Sequence, residues 1–200
     1  MECMETISNK IILILLLLPV MGWGQVVVID SYSETIDNTI AIKNGTNFRA
    51  GQTFDCNGHY ILDSVKVYLS KTGSPTGNVY INVYNVTGTY GTNAVPDGDS
   101  LLISNNIDAS TLPSYLDNSS YIAFTFVFNG KIILTDKYYA FALCAYGGNS
   151  TNYIQLARRL TDASHSGNGI IYTTSWLSST RDAIFTIYGH TTNALLWHNF

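Results

Sequence analysis

The sequence predicts an all-β fold, a single-domain, antiparallel, jelly-roll-like β-sandwich. Apolar and polar residues alternate with a period of two in segment after segment, and Gly, Pro, Asn and Asp cluster between those segments. No window of helical length repeats its apolar residues every 3.6 positions, except for a short helical turn expected near Ile154 to Leu160. Abundant Tyr, Thr, Ser, Asn and Gly with little Lys or Glu favours strands and turns in the same way.

Taken in order, the chain opens with Met1 to Lys10 and then an unbroken apolar run, Ile11 to Val20. That run is too short for the roughly 20 residues of a membrane-spanning helix and fits the core of a secretory signal. Gly22 and Gly24 place the expected cleavage after residue 24. The expected division is therefore a signal peptide over 1–24, a sandwich domain over 25–189 and a C-terminal extension over 190–200. No membrane span is expected in the mature chain, whose expected destination is extracellular or at the cell surface.

The first expected strand is VVVID, Val26 to Asp30. In SVKVYLS, Val65, Val67 and Leu69 share one face while Lys66, Tyr68 and Ser70 share the other. In NVYINVYN, Val79, Ile81 and Val83 oppose Tyr80, Asn82 and Tyr84. YIAFTFVF, KYYAFALCAY and AIFTIYG repeat the pattern. Turn signals separate the segments at Asn57-Gly58, Pro96-Asp97-Gly98, Asn129-Gly130, Gly147-Gly148-Asn149 and Gly167-Asn168-Gly169. KTGSPTGN, Lys71 to Asn78, lies between two such strands and is expected to be a hairpin loop. A phosphate-binding loop would need a lysine directly after its last glycine and a helix to follow; here Asn78 follows Gly77 and a strand comes next.

The long segment from SKTGSPTGN to SLLISNNID, followed by FTFVF, YYAFALCAYGGNSTNY, SHSGN, SW and IFTIYG, resembles a poorly characterised extracellular β-sandwich domain family. Members occur in secreted bacterial and phage-associated proteins, including chains sorted to surface anchors. The resemblance covers about Gly51 to Gly189 and implies a jelly-roll-like sandwich similar to carbohydrate-binding modules, with no established catalytic residue. Arg158-Arg159 ahead of Asp162 and the C-terminal extension depart from the family's usual pattern.

Composition narrows the chemistry. The net charge is −4 and the Lys and Arg residues are scattered, so the basic stripe of a nucleic-acid interface is missing. After residue 24 the chain holds one glutamate, Glu34, where glycosidase chemistry needs two facing carboxyls. Asp162, Ser164, His165 and Ser166 supply the residue types of a hydrolytic triad, but within one loop, where such triads are not assembled. The chain is therefore expected not to be an enzyme and to carry no cofactor. Asp97 and Asp99 flank Gly98 and are the only calcium candidates, without the further spaced acids of a dedicated loop. His59, His165, His190 and His198 show no zinc spacing. Cys56 and Cys144 are either bridged by a disulfide, as an oxidising destination permits, or buried as free thiols.

The expected binding residues are aromatic. Tyr68, Tyr80 and Tyr84 fall on the polar-facing side of strands read as neighbours, beside Asn82, and Trp176 lies in TSWLSS. Flat rings with polar tips suit sugar faces, and an amide beside them suits hydroxyls. The function expected from the sequence is a secreted, non-catalytic module binding a glycan or surface polymer. The alternative is an assembly protein of a cell surface, appendage or virion that binds only itself or other surface proteins.

Overall fold

The computed structural model describes residues 25–43 and 48–192, and within them the backbone is almost entirely extended. In chain order the strands are β1 (Val26–Tyr32), β2 (Asn38–Ile42), β3 (Arg49–Cys56), β4 (Tyr60–Thr72), β5 (Asn78–Thr87), β6 (Val95–Ile103), β7 (Ile107–Asp108) and β8 (Ile122–Val127). They continue as β9 (Ile133–Leu134), β10 (Lys137–Ala145), β11 (Tyr153–Arg159), β12 (Gly169–Tyr172), β13 (Trp176–Ser179), β14 (Asp182–Ala183) and β15 (Phe185–Thr191). One sheet runs β1-β15-β4-β11-β14, with β2 on β11 and β8 and β9 on β4; the other runs β13-β12-β3-β10-β5-β6, with β7 on β5. All named strand pairs are antiparallel, and the chain crosses repeatedly between the sheets, giving the expected jelly-roll-like sandwich. No helix among the described residues is long and apolar enough to cross a membrane.

The core follows from the alternation. Val65, Val67 and Leu69 of the first sheet and Val79, Ile81 and Val83 of the second are all 0 % exposed, so two apolar faces close on each other. That packing corrects the expected hairpin at KTGSPTGN. β4 and β5 belong to different sheets, and residues 73–77 carry the chain over the end of the sandwich. A hairpin would have laid both apolar faces side by side on one sheet, whereas this arch sets them against each other. Gly73 (φ +68°) and Gly77 (φ +92°) supply the left-handed backbone that the crossing needs. Lys71 Nζ donates to the Ser110 carbonyl, so the lysine fastens the arch to the following loop.

Three further expectations are corrected. The helical turn near Ile154 to Leu160 is strand β11, whose residues Ile154 to Arg158 are buried on both faces, so the period of two disappears. Gln155 tolerates that burial because its Oε1 accepts from Tyr121 Oη at 2.8 Å and its Nε2 donates to Thr72 Oγ1 at 3.0 Å. Pro96-Asp97-Gly98 is not a turn between strands but lies within β6, where Gly98 (φ +67°) accompanies a register shift against β5.

The disulfide is also excluded. Cys56 pairs with Lys137 and Cys144 with Arg49 at opposite ends of the same β3–β10 ladder. Seven residues along a strand separate them by roughly 23 Å, against the roughly 7 Å that bridging allows between Cα atoms. The odd offset also sends the two side chains to opposite faces. Both cysteines are free and buried, and burial pushes each thiol up to about 12.

The expected signal peptide lies outside the described residues. Strand pairing continues two residues past Gly189, to Thr191 opposite Tyr60, and residues 193–200 also lie outside the described region.

Candidate functional site on the curled sheet

The outer face of the seven-stranded sheet is built in rows by its register. One row reads Trp176, Tyr172, Arg49, Cys144 and Tyr80 across β13, β12, β3, β10 and β5. The next reads Ser178, Ile170, Gly51, Ala142 and Asn82, and a third places Ala140 between Thr53 and Tyr84.

This sheet is not flat. Trp176 and Tyr84 stand four strands apart, a spacing of about 19 Å on a flat sheet, yet their ring centroids are 5.6 Å apart. Edge strands β13 and β6 come within 8 Å of each other. The sheet therefore curls around its outer face, and the middle strands carry Gly51, Ala140 and Ala142 where bulky side chains would oppose the curl. Tyr84, Ala140, Ala142 and Ile170 are at most 3 % exposed and form a second small core, flanked by the partly buried Val86 and Trp176.

Arg49 organises the rim of this hollow. Its guanidinium lies 5.2 Å from the ring centre of Tyr172, 5.9 Å from that of Tyr146 and 6.0 Å from that of Trp176. Nη1 donates to Tyr84 Oη at 3.1 Å, and Nη2 donates to Tyr146 Oη at 2.6 Å. Tyr80 packs near Tyr146 with centroids 6.3 Å apart, and Tyr172 lies edge-on to Trp176 at 5.0 Å. Asn82 Nδ2 donates to Tyr84 Oη at 2.9 Å. Its Oδ1 is buried without a hydrogen-bond partner, although the residue is only 7 % exposed. Burial raises the hydroxyls of Tyr80 and Tyr84, so both remain protonated donors at neutral pH.

The arrangement offers ring faces, a fixed cation and phenolic hydroxyls over a buried, unsatisfied amide carbonyl. Tyr80, Asn82, Tyr84 and Trp176, all expected from the sequence, meet here, although Tyr84 is a buried floor residue. Tyr68 does not join them, because β4 lies in the other sheet, where Tyr68 pairs with Ala123 of β8. Arg49, Tyr146 and Tyr172 were missed. Extending the outward series Ala140, Ala142, Cys144 by one step reaches Tyr146, whereas nothing local points to Arg49.

The remaining candidates have other roles or none. Asp97 and Asp99 are exposed, and no group of three His, Cys, Asp or Glu able to hold a metal exists among the described residues. The His165 side chain is only 5 % exposed. Its Nδ1 accepts from the Gly167 N–H at 3.0 Å and from Gln52 Nε2 at 3.1 Å, which puts the ring's proton on Nε2, 3.2 Å from Asp30 Oδ2. Ser166 Oγ pairs instead with Tyr90 Oη at 3.2 Å, and Asp162 sits in a turn with φ +52°. Both imidazole nitrogens are engaged inside the fold, which leaves neither free to activate a nucleophile.

No known protein-family model matches this chain, and no curated protein is significantly similar to it.

Proposed function

We propose that the protein is a secreted, non-catalytic module that binds carbohydrate, as free glycan or as part of a surface polymer, through the rim of the curled sheet. The observation that carries this reading is the half-exposed ring of Tyr80, Tyr146, Tyr172 and Trp176 around Arg49, above an Asn82 carbonyl with no partner in the fold. Sugars present C–H faces that stack on such rings and hydroxyls that meet such polar tips. The apolar leader Ile11 to Val20 supports secretion.

The test is a panel of glycans and cell-wall polysaccharides probed with purified protein and with Tyr146→Ala. Tyr146 is 46 % exposed, so its removal leaves both cores intact. At least one glycan should bind, and the variant should lose about tenfold in affinity, or 1.4 kcal/mol, with unchanged Tm. No binding at any accessible concentration would count against the proposal.

The assembly reading rests on a different surface. Among the described residues β1 is an edge strand, paired with β15 alone, and Val26 and Val28 on it are 54 % and 53 % exposed. Such an edge can add a strand from another chain. Sedimentation over a range of concentrations decides this reading: a monomer throughout excludes self-assembly.

A further inference from the structure

A second feature stands apart from the aromatic rim. Where β2 and β11 of one sheet face β12 and β13 of the other, beside the β13–β14 link that joins the two, the sandwich opens into a cavity of about 530 Å³. Thr39, Arg158, Ser178, Ser179, Thr180 and Arg181 supply its polar lining. That volume falls within the ~300–1,000 Å³ of small-molecule sites.

The charges in this cavity are unbalanced. Arg158 is only 5 % exposed, and by strand alternation it shares a face with the core residues Ile154 and Leu156. Nη2 donates to Asn38 Oδ1 at 3.1 Å and to the Thr39 carbonyl at 2.8 Å, but Nε has no partner. Among the described residues no carboxylate lies within ion-pairing distance of Arg158 or Arg181. The neighbouring carboxylates are turned elsewhere: Asp37 pairs with Arg159, and Asp182 accepts from Gln52 and the His165 N–H. Burial, and secondarily the charge of Arg181, lowers the Arg158 pKa to about 10, which still leaves a cation at neutral pH.

Two neutral acceptors compensate the buried Arg158 guanidinium only in part, and a nearby anion would recover more of the solvation it lost. A guanidinium fork also matches the paired oxygens of a carboxylate, sulfate or phosphate group. We infer that the cavity is a binding site for an oxyanion group carried on a small polar molecule, held by Arg158 and Arg181 with the Ser and Thr hydroxyls around it. It is independent of the aromatic rim and can hold or fail on its own.

The experiment is thermal unfolding of the purified protein against inorganic sulfate, inorganic phosphate and glucuronate. Sodium chloride at matched ionic strength and glucose serve as controls. A saturable rise in Tm with at least one oxyanion, absent from both controls, is expected. A response to sulfate or phosphate identifies a tetrahedral group, and a response to glucuronate alone identifies a carboxylate. Arg181→Ala, at a half-buried link residue, should weaken the response about tenfold or more. Arg158→Met removes the buried charge together with its hydrogen bonds to Asn38 and Thr39, and should abolish the response in a variant that still unfolds cooperatively. No saturable response to any of the three probes, or an equal response in both variants, overturns the inference.

Discussion

Replacing Gly51 by valine is expected to destabilise the protein severely. By strand propensity alone the change should help, since valine is a good strand former and glycine a poor one. Gly51 lies in β3 between Ala142 of β10 and Ile170 of β12, on the inside of the curl. A Cβ there would sit 1.9 Å from the Phe141 carbonyl oxygen and 2.9 Å from the Ala142 Cα. Those are backbone atoms in the middle of a sheet, so no side chain can swing aside and the sheet would have to open. The expected penalty exceeds about 3 kcal/mol, a large share of the roughly 5–15 kcal/mol that stabilises an ordinary domain. Gly51→Ala should be milder but still clearly destabilised. Circular dichroism and thermal melting distinguish the outcomes, and a valine variant as stable as the parent would mean that the sheet is not curled as described.

His165→Ala should be the second large loss. Asp30 on β1 accepts from the Asp55 N–H of β3 at 2.9 Å as well as from His165. Gln52 on β3 donates to Asp182 Oδ1 at 2.8 Å and accepts from the Ala183 N–H at 3.0 Å. Asp182 Oδ2 accepts from the His165 N–H at 3.0 Å. One histidine thus joins both sheets, and its ring also packs edge-on against Phe185 and Tyr32. Alanine would leave the Asp30 carboxylate short of a partner and open a cavity beside Phe185, at a cost of about 3–5 kcal/mol. For a domain of this size that corresponds to a fall in Tm of roughly 6–20 °C. A shift below about 2 °C would show that this network does not hold the sheets together.

The sequence carried the strands well wherever one face is buried and the other is not, as in Val65 to Leu69 and Val79 to Val83. It failed where that contrast vanishes. β11 is buried on both faces, so its residues lost the period of two and resembled a helical turn. The arch at KTGSPTGN was read as a hairpin because turn chemistry is the same whether the chain returns beside itself or crosses to the facing sheet; only the packing of the two apolar faces decides. The same error put Tyr68 with Tyr80 and Tyr84. Asn82, Tyr80 and Tyr84 were legible together because they alternate along one strand. Arg49, Tyr146 and Tyr172 come from three separate parts of the chain, and only the β3–β10–β5 and β3–β12 registers place them side by side. Cys56 and Cys144 were weighed as a pair on count and destination, and the antiparallel register sets them at opposite ends of one ladder.

The most direct test of a sugar-binding rim is a nuclear magnetic resonance titration of the purified protein with whichever oligosaccharide the binding panel selects. The resonances to follow are the Trp176 indole N–H, the Arg49 Nε–H and the Asn82 side-chain amide. Saturable shifts at all three, with little change at Tyr68 or His165, are predicted. A panel without ligands, or shifts confined to the β1 edge or to the Arg158 cavity, would contradict the assignment of carbohydrate binding to this face.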